Sequence, residues 1–378
     1  MGFVGNIKQT AALNLKNIIG WKTKRKIIIF SVDDYGNVRL DSKQARDKMF
    51  ANGIKATSRF DLYDTLETSE DLEVLYETLT SVKDKNGRHP VFTAFAMSAN
   101  IDFEAMRGNG YASYSYEALP VTFSKLKGYE RTWELWQEGM KKGILQPQFH
   151  GREHLNIKVL MEALKRKDKD ALTCFDNRSY TGINDTGYST IAFPAAFDFY
   201  EFEENETLKE IIRDGLQLFE KNFGFKATDF TPSASTSYSH VLEPVLHEGG
   251  IKSIHMSRIK KEHLGKGKFG PSHFFYTGKK NASGQYYLVR NCVFEPTEKR
   301  GLDWVEFCMQ QIEASFRWNL PANISSHRVN FCGLVDEHNR KEGIAALQLL
   351  LKKITQRWPD AEFMSSAALG ELVASDKS

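Results

Sequence analysis

Short apolar runs alternate with stretches of helical period from residue 26 onward, the trace that a mostly parallel sheet with covering helices leaves in a sequence. KIIIFSV (26–32) is the first run, apolar at successive positions from Ile27 to Phe30, as a parallel strand buried on both faces requires. Residues 41–52 read as a helix closed by Gly53. Residues 69–83 read as another, with Leu72, Leu75, Leu79 and Val82 on one face and Glu70 and Asp71 in the first turn, where the helix dipole favours anions. Further apolar runs lie at 91–97, 144–149, 227–230, 251–256, 286–294, 323–326 and 361–366. Helical patterns at about 132–142, 155–166, 206–223, 237–248, 302–317 and 338–357 separate most of them. Seven or so strands alternating with helices, with no glycine-rich phosphate loop after the first, favour a closed α/β barrel over an open doubly wound sheet.

This pattern divides the chain into an N-terminal extension, 1–25, and a barrel over 26–378 with insertions near 101–130 and 257–285. Strand-to-helix loops are where a barrel shapes its substrate site. The first insertion carries Tyr111, Tyr114 and Tyr116, which could stack on sugar rings or simply decorate a surface loop.

Composition narrows the function classes. A formal charge of +3 is too small to imply a polyanionic partner by itself, so nucleic acid is not expected. Cys174, Cys292, Cys308 and Cys332 form no CxxC pair, which points to reduced, mostly buried thiols. Apolar patches in the first 26 residues are broken by Lys8, Asn14, Lys16 and Asn17, and no later stretch approaches the ~20 apolar residues of a membrane span. A cytoplasmic protein without a membrane partner is the expectation, and its oligomeric state is left open.

Three polar clusters each end an apolar run: Asp33-Asp34, His150-x-x-x-His154 and His327-Arg328. In an α/β barrel the C-terminal ends of all strands converge on one face, so these groups can share one site. Histidines four apart on a helical turn reach a common ion, and an aspartate completes three ligands with positions left open for water. Adjacent carboxylates repel unless a cation holds one of them. Each motif also has a plainer reading: an Asx turn at Asp33-Asp34-Tyr35-Gly36, surface histidines at 150 and 154, and a strand-capping His327 beside an Arg328 in a surface ion pair. The remaining histidines, His89, His240, His247, His255, His263, His273 and His338, have no carboxylate partner evident in the sequence.

SVDDYG resembles the first motif of the polysaccharide deacetylases (NodB-like, carbohydrate esterase family four), T-F-D-D-G, and HGREH resembles their second, H-[ST]-x-x-H. Phe230-Thr231-Pro232-Ser233-Ala234-Ser235 is similar to their third motif, F-R-x-P-x-G, and ISSHRVNF, with His327, to their last. The opening block also resembles the related YdjC-type carbohydrate deacetylases. The resemblance spans about 26–373 and implies an α/β fold, a distorted (β/α) barrel of about seven parallel strands. It implies hydrolysis of acetyl groups, N-acetyl first, on a sugar or polysaccharide. It further implies a divalent metal, zinc ahead of nickel or cobalt, on Asp34, His150 and His154, with Asp33 as base and His327 as acid.

Two departures stand out. More than a hundred residues separate the first two motifs, and Thr231 occupies the place of the family's arginine, the base's partner. Arg328, Arg290 and Arg152 are the candidates to replace it. Without such a partner, a non-catalytic carbohydrate-binding barrel gains ground; a metal-dependent amidase or glycosidase acting on a non-acetyl substrate is a second alternative, since a fold and a metal triad do not fix the substrate.

Overall fold

A ten-residue strand, β1 (Lys26–Tyr35), runs through the centre of the molecule, buried at every position after Lys26. The computed structural model describes residues 13–183, 185–234 and 238–376. After β1 come β2 (Phe92–Met97), a hairpin of β3 (Ala99–Ile101) and β4 (Tyr116–Ala118), β5 (Leu145–Gly151), β6 (Asp229–Phe230) and β7 (Ser253–Met256). A second hairpin, β8 (Ile259–His263) and β9 (Phe269–Phe274), precedes β10 (Tyr286–Val289), β11 (Cys292–Val293), β12 (Ala322–His327) and β13 (Ala361–Phe363).

The main sheet has the order β10-β7-β6-β5-β2-β1-β12-β11, and its pairings are parallel. Its two edges, β10 and β11, are separated in the chain by Arg290 and Asn291 alone. Three residue steps span at most about 11 Å. The sheet therefore curls until its edges approach, forming a partial barrel with a broken strand at the seam. The single run expected at 286–294 divides there, because its first half pairs with β7 and its second with β12. Counting that divided strand once leaves seven strand positions, and β13 adds a short partner beside the start of β1.

Side-chain alternation explains how one sheet has both an apolar and a polar face. Ile28, Phe30 and Val32 of β1 belong to the main core, with Leu72, Leu75 and Leu79 of the helix Ser69–Thr80 and Leu347, Leu350 and Leu351 of the helix Glu337–Arg357. Each such side chain, fully buried, contributes about 1.5–3 kcal/mol. The alternate residues face the barrel interior. Ile27 and Ile29 join Leu288, Met364, Leu369 and Val373 in a small apolar plug, and Ser31 above them donates to Asn323 Oδ1 at 2.8 Å. Asp33 stands above these, at the open end. The plug uses a helix not evident in the sequence, Ser366–Ser375, whose apolar residues are spread around its surface instead of along one stripe.

The helix expected at 237–248 is shorter, a 3-10 turn His240–Leu242 leading into Glu243–Glu248, and Ser237 lies outside the described residues, as does Ser235 of the third motif. All four cysteines are buried free thiols. No helix among the described residues is long and apolar enough to cross a membrane.

Candidate metal centre and active site

On a regular strand Asp33 and Asp34 would point to opposite faces. The β1–β2 register shifts between Val32 and Tyr35, and Asp34 takes φ 75°, a left-handed conformation that aspartate tolerates better than most residues. This bulge turns both carboxylates into the barrel mouth. Glu67 braces the turn by accepting from the Gly36 amide at 3.1 Å and from Trp136 Nε1 at 3.0 Å.

His150 and His154 do not share a helical turn, as their spacing suggests. His150 lies within β5, and the chain bends through 152–155 before Asn156 caps a helix that starts at Ile157. The imidazoles converge because the strand ends in a bend after Gly151, opposite a second register shift in β2. His154 Nε2 lies 2.9 Å and His150 Nε2 3.3 Å from Asp34 Oδ1, and the three groups offer ligand atoms within 4.8 Å of one another, all buried.

These residues fit a divalent ion. His150 Nδ1 is 2.8 Å from the Thr231 carbonyl, which can only accept, so Nδ1 carries the proton. His150 Nε2 is then the ring nitrogen turned toward Asp34 Oδ1, so both can serve as ligand atoms of one cation. Burial would raise the Asp34 pKa, yet His154, His150 and Arg39 together hold it well below the usual range. Burial pulls His154 downward, against Asp34 and with the help of Arg39, which favours the neutral ligand form. We expect His154→Ala to lose most of the bound metal from protein purified without chelators; unchanged stoichiometry in elemental analysis would remove the assignment.

Asp33 is gripped by Arg290 in a two-pronged pair, Nη1 to Oδ2 at 2.5 Å and Nη2 to Oδ1 at 2.8 Å. Of the three candidate arginines, Arg290 takes this place, reaching in from the barrel seam over the Phe95 ring, 4.8 Å away. Thr231 instead contributes its carbonyl to His150. Burial would push Asp33 upward, but Arg290, His150 and His327 hold it below 3.8. His327, the last residue of β12, places Nε2 3.9 Å from Asp33 Oδ2 and Nδ1 2.6 Å from Glu295 Oε1. Burial lowers its pKa, but Glu295, Asp34 and Asp33 outweigh burial and push it up to about 9. Glu295 is held in turn by Arg59 and by Asn330 Nδ2 at 2.7 Å, and Phe60 packs edge-on against the imidazole.

Glu295, Arg59 and Asn330 were not singled out in the sequence. Glu295 could have been, since it lies two residues beyond the end of β11 on the face where strand ends converge. Arg328 is neither a surface residue nor the base's partner. Fully buried, it bonds Glu67 and Asp64, each at 2.8 Å, and so supports the Asp34 turn from behind. Arg328→Ala should lower unfolding stability by about 3–5 kcal/mol by leaving buried carboxylates unpaired, which a urea melt would measure. Arg152 pairs with Glu153 and Asp214, away from Asp33.

The three tyrosines of the first insertion do not line the central cavity. Tyr116 donates to Asp214 at 2.7 Å beneath the Arg152 guanidinium, Tyr114 is held in the same cluster, and Tyr111 packs on Phe175. Nor are the other histidines all without carboxylates: His240 pairs with Glu262, His255 with Asp229 and His263 with Asp198. Residues scattered along the chain supply these partners, so spacing does not reveal them. The cavity itself, about 620 Å³, holds the five residues Asp33, Asp34, His150, His154 and His327 at one end of the barrel, with walls that include Phe60, Tyr180, Ile191, Phe193 and Met256.

No protein-family model matches the chain, and no curated protein matches it in sequence. Among solved structures, one from Mycobacterium smegmatis described as a polysaccharide deacetylase aligns over 95% of this chain and 94% of its own, with 13% identity and a TM-score of 0.47. The PuuE allantoinase aligns over 94% and 93%, with 11% identity and a TM-score of 0.48. A Pseudomonas aeruginosa PAO1 protein described as a polysaccharide deacetylase aligns over 94% and 93%, with 10% identity and a TM-score of 0.47. Structures described as polysaccharide deacetylases are thus neighbours of this chain along nearly its whole length, at low sequence identity.

Proposed function

We propose that this protein is a metal-dependent hydrolase that removes acetyl groups, from nitrogen in the first place, from a sugar or polysaccharide. One observation carries the reading: a carboxylate gripped by an arginine and an imidazole hydrogen-bonded to a glutamate flank a buried Asp-His-His cluster within a single cavity. A divalent ion on Asp34, His150 and His154, zinc ahead of nickel or cobalt, would supply Lewis acidity at the acyl oxygen and lower the pKa of an attacking water.

The chain's own residues manage the protons. Arg290 keeps Asp33 ionised and aimed, ready to take the proton of the water as it attacks. Glu295 accepts from His327 Nδ1, fixing the ring so that Nε2 carries the proton offered to the departing nitrogen. The grip of Arg290 on Asp33 supports the catalytic reading over a non-catalytic barrel, since it gives the base an arginine partner. The cavity volume of about 620 Å³ lies within the ~300–1,000 Å³ typical of small-ligand sites, room for an acetylated sugar unit with its neighbours outside.

Acetate release from a panel of N- and O-acetylated mono- and oligosaccharides, run beside cyclic amides, tests the proposal. Acetate from at least one N-acetyl sugar is expected; opening of the amides with none from any sugar would transfer the site to the amidase reading.

A further inference from the structure

The second insertion does not contribute its hairpin to the proposed chemistry, and that hairpin has an unusual surface. Residues 258–280 contain seven Lys or Arg against Glu262 alone, with Lys260 buried beside Glu262 and Lys279 and Lys280 just past the hairpin, whereas the whole chain carries +3, so the rest of the protein is net negative. Ile259, Leu264, Phe269 and Phe274, four of the large apolar side chains most open to solvent, lie on this same β8–β9 hairpin and are 41–61% exposed. Ile259 pairs directly across the ladder with Phe274, which places the two on one face. Lys261, Lys266 and Lys268 are exposed beside them, Lys266 within 3.1 Å of Glu201.

The hairpin is anchored. Its turn donates from the Lys266 amide to the Tyr200 carbonyl at 2.6 Å, and His263 lies 3.5 Å from Asp198. Phe202, 46% exposed, adjoins the same turn and extends the apolar surface. The hairpin also leaves the barrel directly after Met256 and Ser257, which line the central cavity, so it stands at the cavity's rim.

We infer that the β8–β9 hairpin docks the mouth of the barrel onto a phospholipid surface bearing anionic headgroups. Aromatic and aliphatic side chains interleaved with lysine on a projecting element suit the bilayer interface, where the rings enter the headgroup layer and the ammonium groups meet phosphate. A second copy is a poor occupant, because a two-fold contact would set this basic patch against itself. Pro271, lacking an N–H, also interrupts β9 as a template for strand addition. The expectation of no membrane partner rested on the lack of a spanning segment, and docking of this kind needs none. The inference stands apart from the hydrolase reading.

The whole chain is mixed with extruded vesicles of phosphatidylcholine alone or of phosphatidylcholine with phosphatidylglycerol, and pelleted. Binding to the anionic vesicles only is expected, weakening as salt rises above about 0.15 M. Replacing Phe269 and Phe274 by serine should cut partitioning about tenfold or more with an unchanged melting temperature. Three results would overturn the inference: no pelleting with the anionic vesicles, wild-type pelleting by the serine variant, or a vesicle-free dimer that the serine variant dissociates. Vesicle binding without acetate release from any sugar would leave this inference intact and end the hydrolase reading alone.

Discussion

His327→Ala is expected to retain its metal and lose about 100- to 10,000-fold in kcat/KM, the usual worth of a positioned general acid. The imidazole is not one of the three clustered groups, Asp34, His150 and His154, so metal content is the control that separates proton transfer from ligand loss. The pH profile carries the sharper test. With its pKa pushed up to about 9, His327 is protonated at neutrality, and wild-type kcat/KM should fall as pH rises through that value. Glu295→Gln should move this limb toward lower pH, because Glu295 is the chief group raising the imidazole above its ordinary 6.5. If His327→Ala keeps the wild-type rate and the same alkaline limb on the true substrate, the histidine is not the acid.

Asp33→Asn should be comparably damaging, about 100- to 10,000-fold, again with metal retained. The amide preserves the shape of the side chain and one acceptor for Arg290, so folding should be little affected while the proton acceptor is gone. Because Arg290 holds Asp33 below the ordinary aspartate range, any acid limb that Asp33 sets should lie at lower pH than a free aspartate would give. Single-turnover rates for the variant measured across the neutral range would settle the role; wild-type turnover would mean that another base serves.

Much of the site was legible because each of its groups closes an apolar run. Asp33, Asp34, His150, His154 and His327 could be named from that placement and from the resemblance of their motifs. How they reach one another was not legible. The approach of Asp33 and Asp34 depends on a bulge and a left-handed residue, and that of the histidines on a bend after β5, neither of which leaves a periodic mark. Arg290 sits inside what reads as one continuous strand, and only the break at the barrel seam turns it toward Asp33. The tyrosines of the first insertion misled for the opposite reason: an aromatic cluster in a loop looks like a sugar platform until Arg152 and Phe175 are found occupying its faces.

The pairing of β1 with β12 also bears on how the protein is made. Ile28 finds its partner at Ala322, so one edge of β1 has no such neighbour until nearly three hundred more residues have left the ribosome. At about 5–20 residues per second that wait lasts roughly 15–60 s. During it the run Ile27 to Phe30 is an apolar strand with an open edge, the kind of segment on which nascent chains pair with one another. The yield of folded protein should therefore depend on chaperone supply and expression temperature more than the stability of the finished barrel suggests.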